Sequence, residues 1–316
     1  MCDFYKNKIF LAPMAGVTDL AFRTVCKMHG ADLVVSEMIS SRGLHYKDKK
    51  TSSLLKTNET EAPLIVQLFG NEPDIMAESA RTLEALGVKY LDINMGCPAP
   101  KITKNGDGCS LMKDELLAYK VAESVVNAVK IPVSVKMRAG WDENSKNAVS
   151  FAKAMENAGV SAVAVHGRTK EQFYSGKSDN DIIKKVKEAV KIPVIGNGDV
   201  TDGESADKML SYTLCDSIMV GRGALGNPFV FDEIKHHLNN EPFKKPSLSE
   251  KKKAIFTHID IMRETKPEHI GVAEMRKHIA WYLKGIPHSS KIKTEAFMAK
   301  SYDELKELIN KIDERF

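Results

Sequence analysis

The chain has 316 residues, 43% of them apolar, and a formal charge of +4 at pH 7. That apolar share is ordinary for a globular protein, and no apolar run approaches the ~18 residues that a membrane span needs. The start, Met1-Cys2-Asp3-Phe4-Tyr5-Lys6, has no signal-peptide pattern, and the five cysteines at 2, 26, 97, 109 and 215 form no C-x-x-C pair. Neither a disulfide framework nor a zinc ribbon is therefore suggested, and a reduced, cytoplasmic protein without a metal centre is expected.

Eight short β-branched runs follow one another at 9–12, 33–37, 64–69, 90–94, 133–138, 162–166, 194–197 and 217–221. Segments of helical period lie between most of them, at 74–86, 114–129, 148–157 and 181–190. The stretch after the second run is less regular. Gly87 and Gly159 stand where helix C-caps belong. Pro63, Pro132 and Pro193 each open a strand, where a missing N–H does little harm. Strands alternating with helices predict an α/β fold with a parallel sheet. The count of eight over ~230 residues favours a closed (β/α)8 TIM barrel over an open doubly wound sheet.

The repeat stops after Gly221. Glu241-Pro242-Phe243-Lys244-Lys245-Pro246 reads as a linker, and Ser247 with Glu250 as a capping box. Helical segments then fit 250–264, 271–283, 292–299 and 302–313. The expected organisation is a barrel over 1–241 and a small helical-bundle domain over 242–316. Charge divides the same way. From 244 to 316 there are 16 Lys and Arg against 11 Asp and Glu, while 1–243 holds 30 against 31. A basic tail suits a polyanion partner, and equally a solvated helical surface.

In such a barrel the active site is built at the C-terminal ends of the strands. Those ends read Pro13-Met14-Ala15-Gly16, Ser36-Glu37-Met38, Gln67-Leu68-Phe69-Gly70, Asn94-Met95-Gly96-Cys97, Lys136-Met137-Arg138, His166-Gly167-Arg168, Gly196-Asn197-Gly198-Asp199 and Gly221-Arg222-Gly223. Nearly all are polar, glycine-rich or both. The last two loops sit where barrels bind phosphate. Their glycines let backbone N–H groups approach an anion, with Arg222 adding charge. Tight turns alone would also use glycine. Gly221-Arg222-Gly223-Ala224-Leu225-Gly226 matches G-x-G-x-x-G, but no second strand follows to complete a βαβ unit.

Cys97 lies just beyond the fourth strand. A thiol there can exchange a proton or attack as thiolate; packing as a small apolar residue is the alternative. Lys136 and Arg138 are two apart and share a face. They need an anion such as a reduced flavin, or pair with Glu37 or Asp92. Gln67 suits the amide edge of a flavin ring. His166 fits a phosphate ligand, a base or a structural histidine equally. The segment 99–108 reads as a long loose loop, able to close over a substrate or merely to lie on the surface.

Together these runs resemble tRNA-dihydrouridine synthases. The marks are Ala12-Pro13-Met14-Ala15-Gly16-Val17-Thr18-Asp19, Ser36-Glu37-Met38, Asn94-Met95-Gly96-Cys97-Pro98, Lys136-Met137-Arg138, His166-Gly167-Arg168-Thr169, Gly196-Asn197-Gly198-Asp199 and Gly221-Arg222-Gly223. The resemblance covers nearly the whole chain, with no departure at these motifs. Met275-Arg276-Lys277-His278-Ile279-Ala280-Trp281-Tyr282 looks most like the bacterial B-type branch. The resemblance implies an FMN-dependent oxidoreductase that reduces uridine in tRNA to 5,6-dihydrouridine, with NADPH as electron donor. It implies that Pro13, Met14 and Ala15 line the FMN ring and that Gln67 and Lys136 contact it. His166, Asn197, Gly198, Asp199, Gly221 and Arg222 then hold its chain and phosphate. Cys97 is implied as proton donor to C5 after hydride reaches C6, with Asn94 and Arg138 facing the uracil. A thiol of pKa ~8.5 stays protonated near neutrality, as an acid must. The rivals are a flavin barrel reducing a free pyrimidine, such as a dihydroorotate dehydrogenase type, and a non-enzymatic RNA-binding barrel. No membrane partner is expected, and a monomer is.

Overall fold

The computed structural model describes residues 2–48 and 54–312. Nine parallel strands form one sheet: β1 Ile9–Leu11, β2 Leu33–Val35, β3 Ile39–Ser40, β4 Leu64–Phe69, β5 Leu91–Met95, β6 Val133–Arg138, β7 Ala162–His166, β8 Val194–Asn197 and β9 Ser217–Val220. The order runs β2-β1-β9-β8-β7-β6-β5-β4-β3, and β2 also pairs β4, which closes the barrel. β3 continues the second position of the barrel along β4. The sequence pattern does not show this two-residue strand. The chain leaves β2 at Ser36, whose hydroxyl accepts from the Gln67 amide at 3.0 Å.

Four of the predicted strands, at 64–69, 133–138, 162–166 and 194–197, match the structure residue for residue. Their alternation explains why. Val133, Val135 and Met137 of β6 are buried in the shell between barrel and helices, as are Leu91, Ile93 and Met95 of β5. The other side chains point inward. The barrel floor is apolar, with Phe10, Leu33, Val35, Ile65, Ala162, Ala164, Ile195 and Met219 packed together. Above that floor the inward positions turn polar: Gln67, Asp92, Asn94, Ser134, Arg138, His166 and Asn197 are all buried.

The predicted capping box is present: Ser247 Oγ accepts from the Glu250 amide at 3.2 Å, and Glu250 Oε2 from the Ser247 amide at 2.7 Å. Four helices follow, Leu248–Thr265, Glu268–Tyr282, Ser290–Met298 and Tyr302–Asn310; the last predicted position, 313, lies outside the described residues. Their core contains Ile255, Ile259, Met262, Val272, Met275 and Ile279 together with Ala21 from the barrel helix Leu20–Met28. Phe22 on that helix is fully buried, its ring 5.8 Å from His258 and 5.2 Å from His278. Gly226 has φ +67°, and a Cβ there would stand 2.2 Å from the backbone carbon of Trp281. The helical unit is thus pressed backbone to backbone against the loop after β9. The third glycine of the G-x-G-x-x-G run serves this contact, with no βαβ unit around it.

The segment 99–108 is not loose. It holds a short helix, Pro100–Thr103, and leads into a 3-10 turn, Gly108–Lys113. Ile102 is buried and Ser110 Oγ donates to the Thr103 carbonyl at 2.8 Å, so one apolar anchor and a turn suffice to order it.

Candidate active site

Strand register stacks the polar residues in rows. Gln67 pairs Asp92, and Asp92 pairs Ser134. Asn94 pairs Lys136 one layer higher. Arg138, His166 and Asn197 are register partners in turn, and their row ends on Met219 of the apolar floor.

Lys136 donates from Nζ to Asn197 Oδ1 at 2.9 Å. Burial, reinforced by the Arg138 charge, pulls its ammonium down to about 8, against the opposing pull of Asp92. Arg138 donates from Nε to the Gly96 carbonyl at 2.9 Å, and from Nη1 to the carbonyls of Thr169 and Phe173 at 2.8 and 2.9 Å. Neither cation forms an ion pair with Glu37 or Asp92. Glu37 accepts instead from the Gly16 amide. Asp92 accepts from Gln67 Nε2 at 2.7 Å and from Ser134 Oγ at 2.6 Å. Burial raises its carboxyl to about 6.

Gly96 lets the Cys97 loop cross directly over β6, because a Cβ there would lie 3.2 Å from the Met137 carbonyl carbon. Asn94 Oδ1 accepts from the amides of Gly96 and Cys97 at 3.2 and 2.9 Å, while its Nδ2 donates to Gln67 Oε1 at 2.9 Å. The Cys97 carbonyl accepts from the Cys109 amide at 3.1 Å. Cys97 itself is half-buried and free. Burial pushes its thiol up, with the Ala99 amide and the charges of Arg138 and Lys136 opposing. The thiol is therefore protonated at neutral pH, not a thiolate. Cys109 behind it is fully buried and raised to about 12.

On the other side of the mouth, Asn197 also donates from Nδ2 to the Met219 carbonyl at 2.8 Å. His166 is buried beside Lys136, Arg138, Arg168 and Arg222; burial and these charges hold it well below its usual range, hence neutral. Its Nε2 lies 3.5 Å from Arg168 Nη1. Asp199 has φ +54° and binds Arg168 at 2.8 Å, Arg222 at 3.4 Å and the Ser178 amide at 2.8 Å. Burial works to raise its carboxyl, but these donors and charges hold it lowered. Arg168 and Ser178 are not among the site residues expected from sequence. Arg168 had a signal, two residues past His166 in a strand-end motif; Ser178 had none.

The residues expected to hold a flavin phosphate leave donors open. Among the described residues nothing accepts from the amides of Gly198 and Asp199. Ser178 Oγ is buried and has no partner. It lies where a side chain on Gly198 would stand, 2.2 Å from the position of a Cβ. Arg222 and Gly223 open a 3-10 turn, whose first N–H groups have no partner within it. A Cβ on Gly221 would meet only Ala12 at 3.7 Å and Met14 Sδ at 4.0 Å. Unpaired donors around an open hollow fit a phosphate.

The loop after β1 brings Pro13, Met14 and Ala15 to the same rim, with the Met14 amide held by Thr18 Oγ1 at 2.9 Å. Lys277 of the helical unit donates to the Gly16 carbonyl. Lys266 ties to Asp19 at 2.5 Å. Nothing in the local pattern around Lys277 marked it as a contact to the barrel.

Such a mouth defines a (β/α)8-barrel enzyme with a half-buried thiol, one buried and one half-buried cation and a rim of unpaired backbone donors. The chain from residue 10 to 316 matches the family model described as dihydrouridine synthase (Dus), and the protein belongs to that family of oxidoreductases. A relative named "Probable tRNA-dihydrouridine synthase" from Rickettsia conorii is 47% identical over 292 residues, covering 91% of this chain and 88% of its own. One named "tRNA-dihydrouridine synthase B" from Vibrio parahaemolyticus is 41% identical over 280 residues, covering 88% and 87%. The fold is similar to that of the solved "variant of NCR from zymomonas mobilis", with TM-score 0.52, 16% identity and coverage of 78% of this chain and 90% of that one.

Among the described residues, no helix is long and apolar enough to cross a membrane.

Proposed function

We propose that the protein reduces uridine in tRNA to 5,6-dihydrouridine, with FMN as bound cofactor and NADPH as electron donor. The observation that carries this reading is the half-buried Cys97 thiol, kept protonated on a fixed loop beside Lys136 and Arg138. When bound, reduced FMN supplies hydride to C6 of the uracil. Cys97 supplies the proton to C5, and its raised pKa suits an acid rather than a nucleophile. Pro13, Met14 and Ala15 line the ring site. Lys136 borders it, and its charge stabilises negative charge on the ring edge; Gln67, fully enclosed with both ends of its amide engaged by Asp92 and Asn94, supports the site from beneath. The open amides of Gly198 and Asp199, with Gly221, Arg222, Asn197 and neutral His166, surround the phosphate. Asp199 acts there by holding Arg168 and Arg222, since its own carboxylate repels an anion. Arg138 faces the uracil oxygens with Nη2. Asn94 serves the same ring through the turn it imposes on the Cys97 loop.

The target base must leave its stack to reach this depth, the flavin face replacing its neighbours. The helical unit, 242–316, is the tRNA-binding region in this reading, supplying phosphate contacts and register.

Purified protein should be yellow and release FMN on heating. RNA from a deletion strain should lack dihydrouridine at one or more tRNA positions. Colourless protein that stays inactive with added FMN overturns the cofactor assignment. Activity on free uridine without RNA favours the small-pyrimidine rival.

A further inference from the structure

We propose that Asp92 is a positioning residue: its carboxylate sets the donor–acceptor direction of a hydrogen-bond chain, through Gln67 and Asn94, that fixes the Cys97 loop. The catalytic consequence rests on Cys97 being the proton donor; the geometric part does not.

The argument follows the chain from a group that can only accept. An ionised carboxylate has no proton to give. Gln67 must therefore turn its NH2 to Asp92, at 2.7 Å. That leaves Gln67 Oε1 facing Asn94, and an oxygen there requires a donor. Asn94 turns its NH2 to it, at 2.9 Å. Asn94 is left with Oδ1 toward the loop, where the Gly96 and Cys97 amides donate at 3.2 and 2.9 Å. Backbone amides only donate, so the two ends of the chain agree. Reversing either amide would set two donors or two acceptors face to face.

Asp92 is itself anchored. Ser134 Oγ donates to its other oxygen at 2.6 Å, and Lys136 lies close enough to stabilise its charge. Asp92 is 4% and Gln67 0% exposed, so water does not replace a missing partner. Among the described residues, the carboxylate touches neither the Cys97 loop nor the hollow at the mouth by any hydrogen bond, which is why its role is orientation and not chemistry.

The test uses the flavin-loaded protein, with two readouts. Alkylation of Cys97 by iodoacetamide, followed by peptide mass spectrometry, reports the loop without any assumption about catalysis. Steady-state reduction of tRNA reports kcat and KM separately. Asp92→Leu keeps the branched shape, with bulkier methyl groups in place of the oxygens, and removes the acceptor. It should speed Cys97 alkylation about three- to tenfold, and lower kcat at least about tenfold with KM for tRNA changed less than about threefold. Asp92→Asn should restore both toward wild type, because its Oδ1 still accepts from Gln67 while its NH2 meets the Ser134 oxygen. Unchanged alkylation in Asp92→Leu, or Asp92→Asn as impaired as Asp92→Leu, overturns the proposal. Faster alkylation with unchanged kcat supports the chain and instead removes Cys97 from the reaction. Should Asp92→Leu not fold, Gln67→Met breaks the same chain at its middle and carries the same two expectations.

Discussion

Cys97 and Cys109 are joined through one backbone hydrogen bond, yet their surroundings give them different work. Under the proposed function, Cys97→Ala should retain the flavin and its reduction by the electron donor but lose dihydrouridine formation by about 10²–10⁴-fold, the range for a general acid. Stopped-flow absorbance of the flavin, run beside a dihydrouridine assay, separates the two halves. Cys109→Ala should cost about 1 kcal/mol of stability and little activity, because its thiol fills space and makes only a long contact, 4.0 Å, to the Gly140 carbonyl. Lys136 offers a second contrast. Among the described residues its desolvated ammonium has one side-chain acceptor, Asn197, so Lys136→Met should stabilise the flavin-free protein at pH 7 by about 1–2 kcal/mol while weakening flavin binding. The sign with pH is fixed by linkage. Folded, Lys136 titrates at about 8; unfolded, near ~10.4. The unfolded chain holds more protons between these values, so the wild-type penalty is complete below about 8 and fades above it. Urea midpoints at pH 7 and 9.5 should show the gap between the two proteins narrowing; a widening gap contradicts the assignment.

At the scale of elements, the strands were legible wherever both faces were buried, since continuous β-branched runs admit little else. Their polar inward positions were legible as well, because Gln67, Asn94, Lys136 and Arg138 interrupt those runs at the period of a strand. β3 escaped because two residues carry no periodicity. The order in 99–108 escaped because a single buried Ile102 supplies it. The docking of the helical unit escaped for another reason: nothing local to Ala21 and Phe22 says which neighbour buries them. That docking changes what cutting the chain at about 241 should do. A fragment ending there exposes Ala21 and Phe22, so it should aggregate or unfold rather than persist as a soluble flavin-binding barrel. Size-exclusion chromatography of the fragment checks this, and a monomeric yellow fragment contradicts it. In the whole chain, Phe22→Ala should cost about 3–5 kcal/mol.

At the scale of the whole molecule, the basic tail is less free than its charge count implied. Lys277 is spent on the Gly16 carbonyl and Lys266 on Asp19 and Glu274. Neutralising Lys277 should therefore loosen the barrel rim rather than weaken RNA binding alone. Lys284 and Lys291 are exposed, and Lys293 is partly so. Their joint replacement by Gln should lower the slope of log affinity for tRNA against log salt by about 2–3, at roughly 0.7–0.9 for each phosphate no longer neutralised. Flavin content should stay the same. A slope that does not move assigns these lysines to solubility instead.

Three arginines hold one loop at the mouth. Arg138 binds the carbonyls of Thr169 and Phe173, Arg168 those of Ser175 and Gly176, and Arg222 reaches that of Tyr174 at 3.5 Å. Guanidinium groups tied to carbonyls on this scale leave the entrance already shaped before any RNA arrives. The movement needed to bring base and thiol together then falls to the nucleic acid. Turnover should track how easily a given RNA loop opens, and the protein should act as a gauge of RNA softness. Raising magnesium to stiffen the tRNA should slow single-turnover reduction more than it weakens binding. Adding a neighbouring abasic or mismatched nucleotide should quicken it.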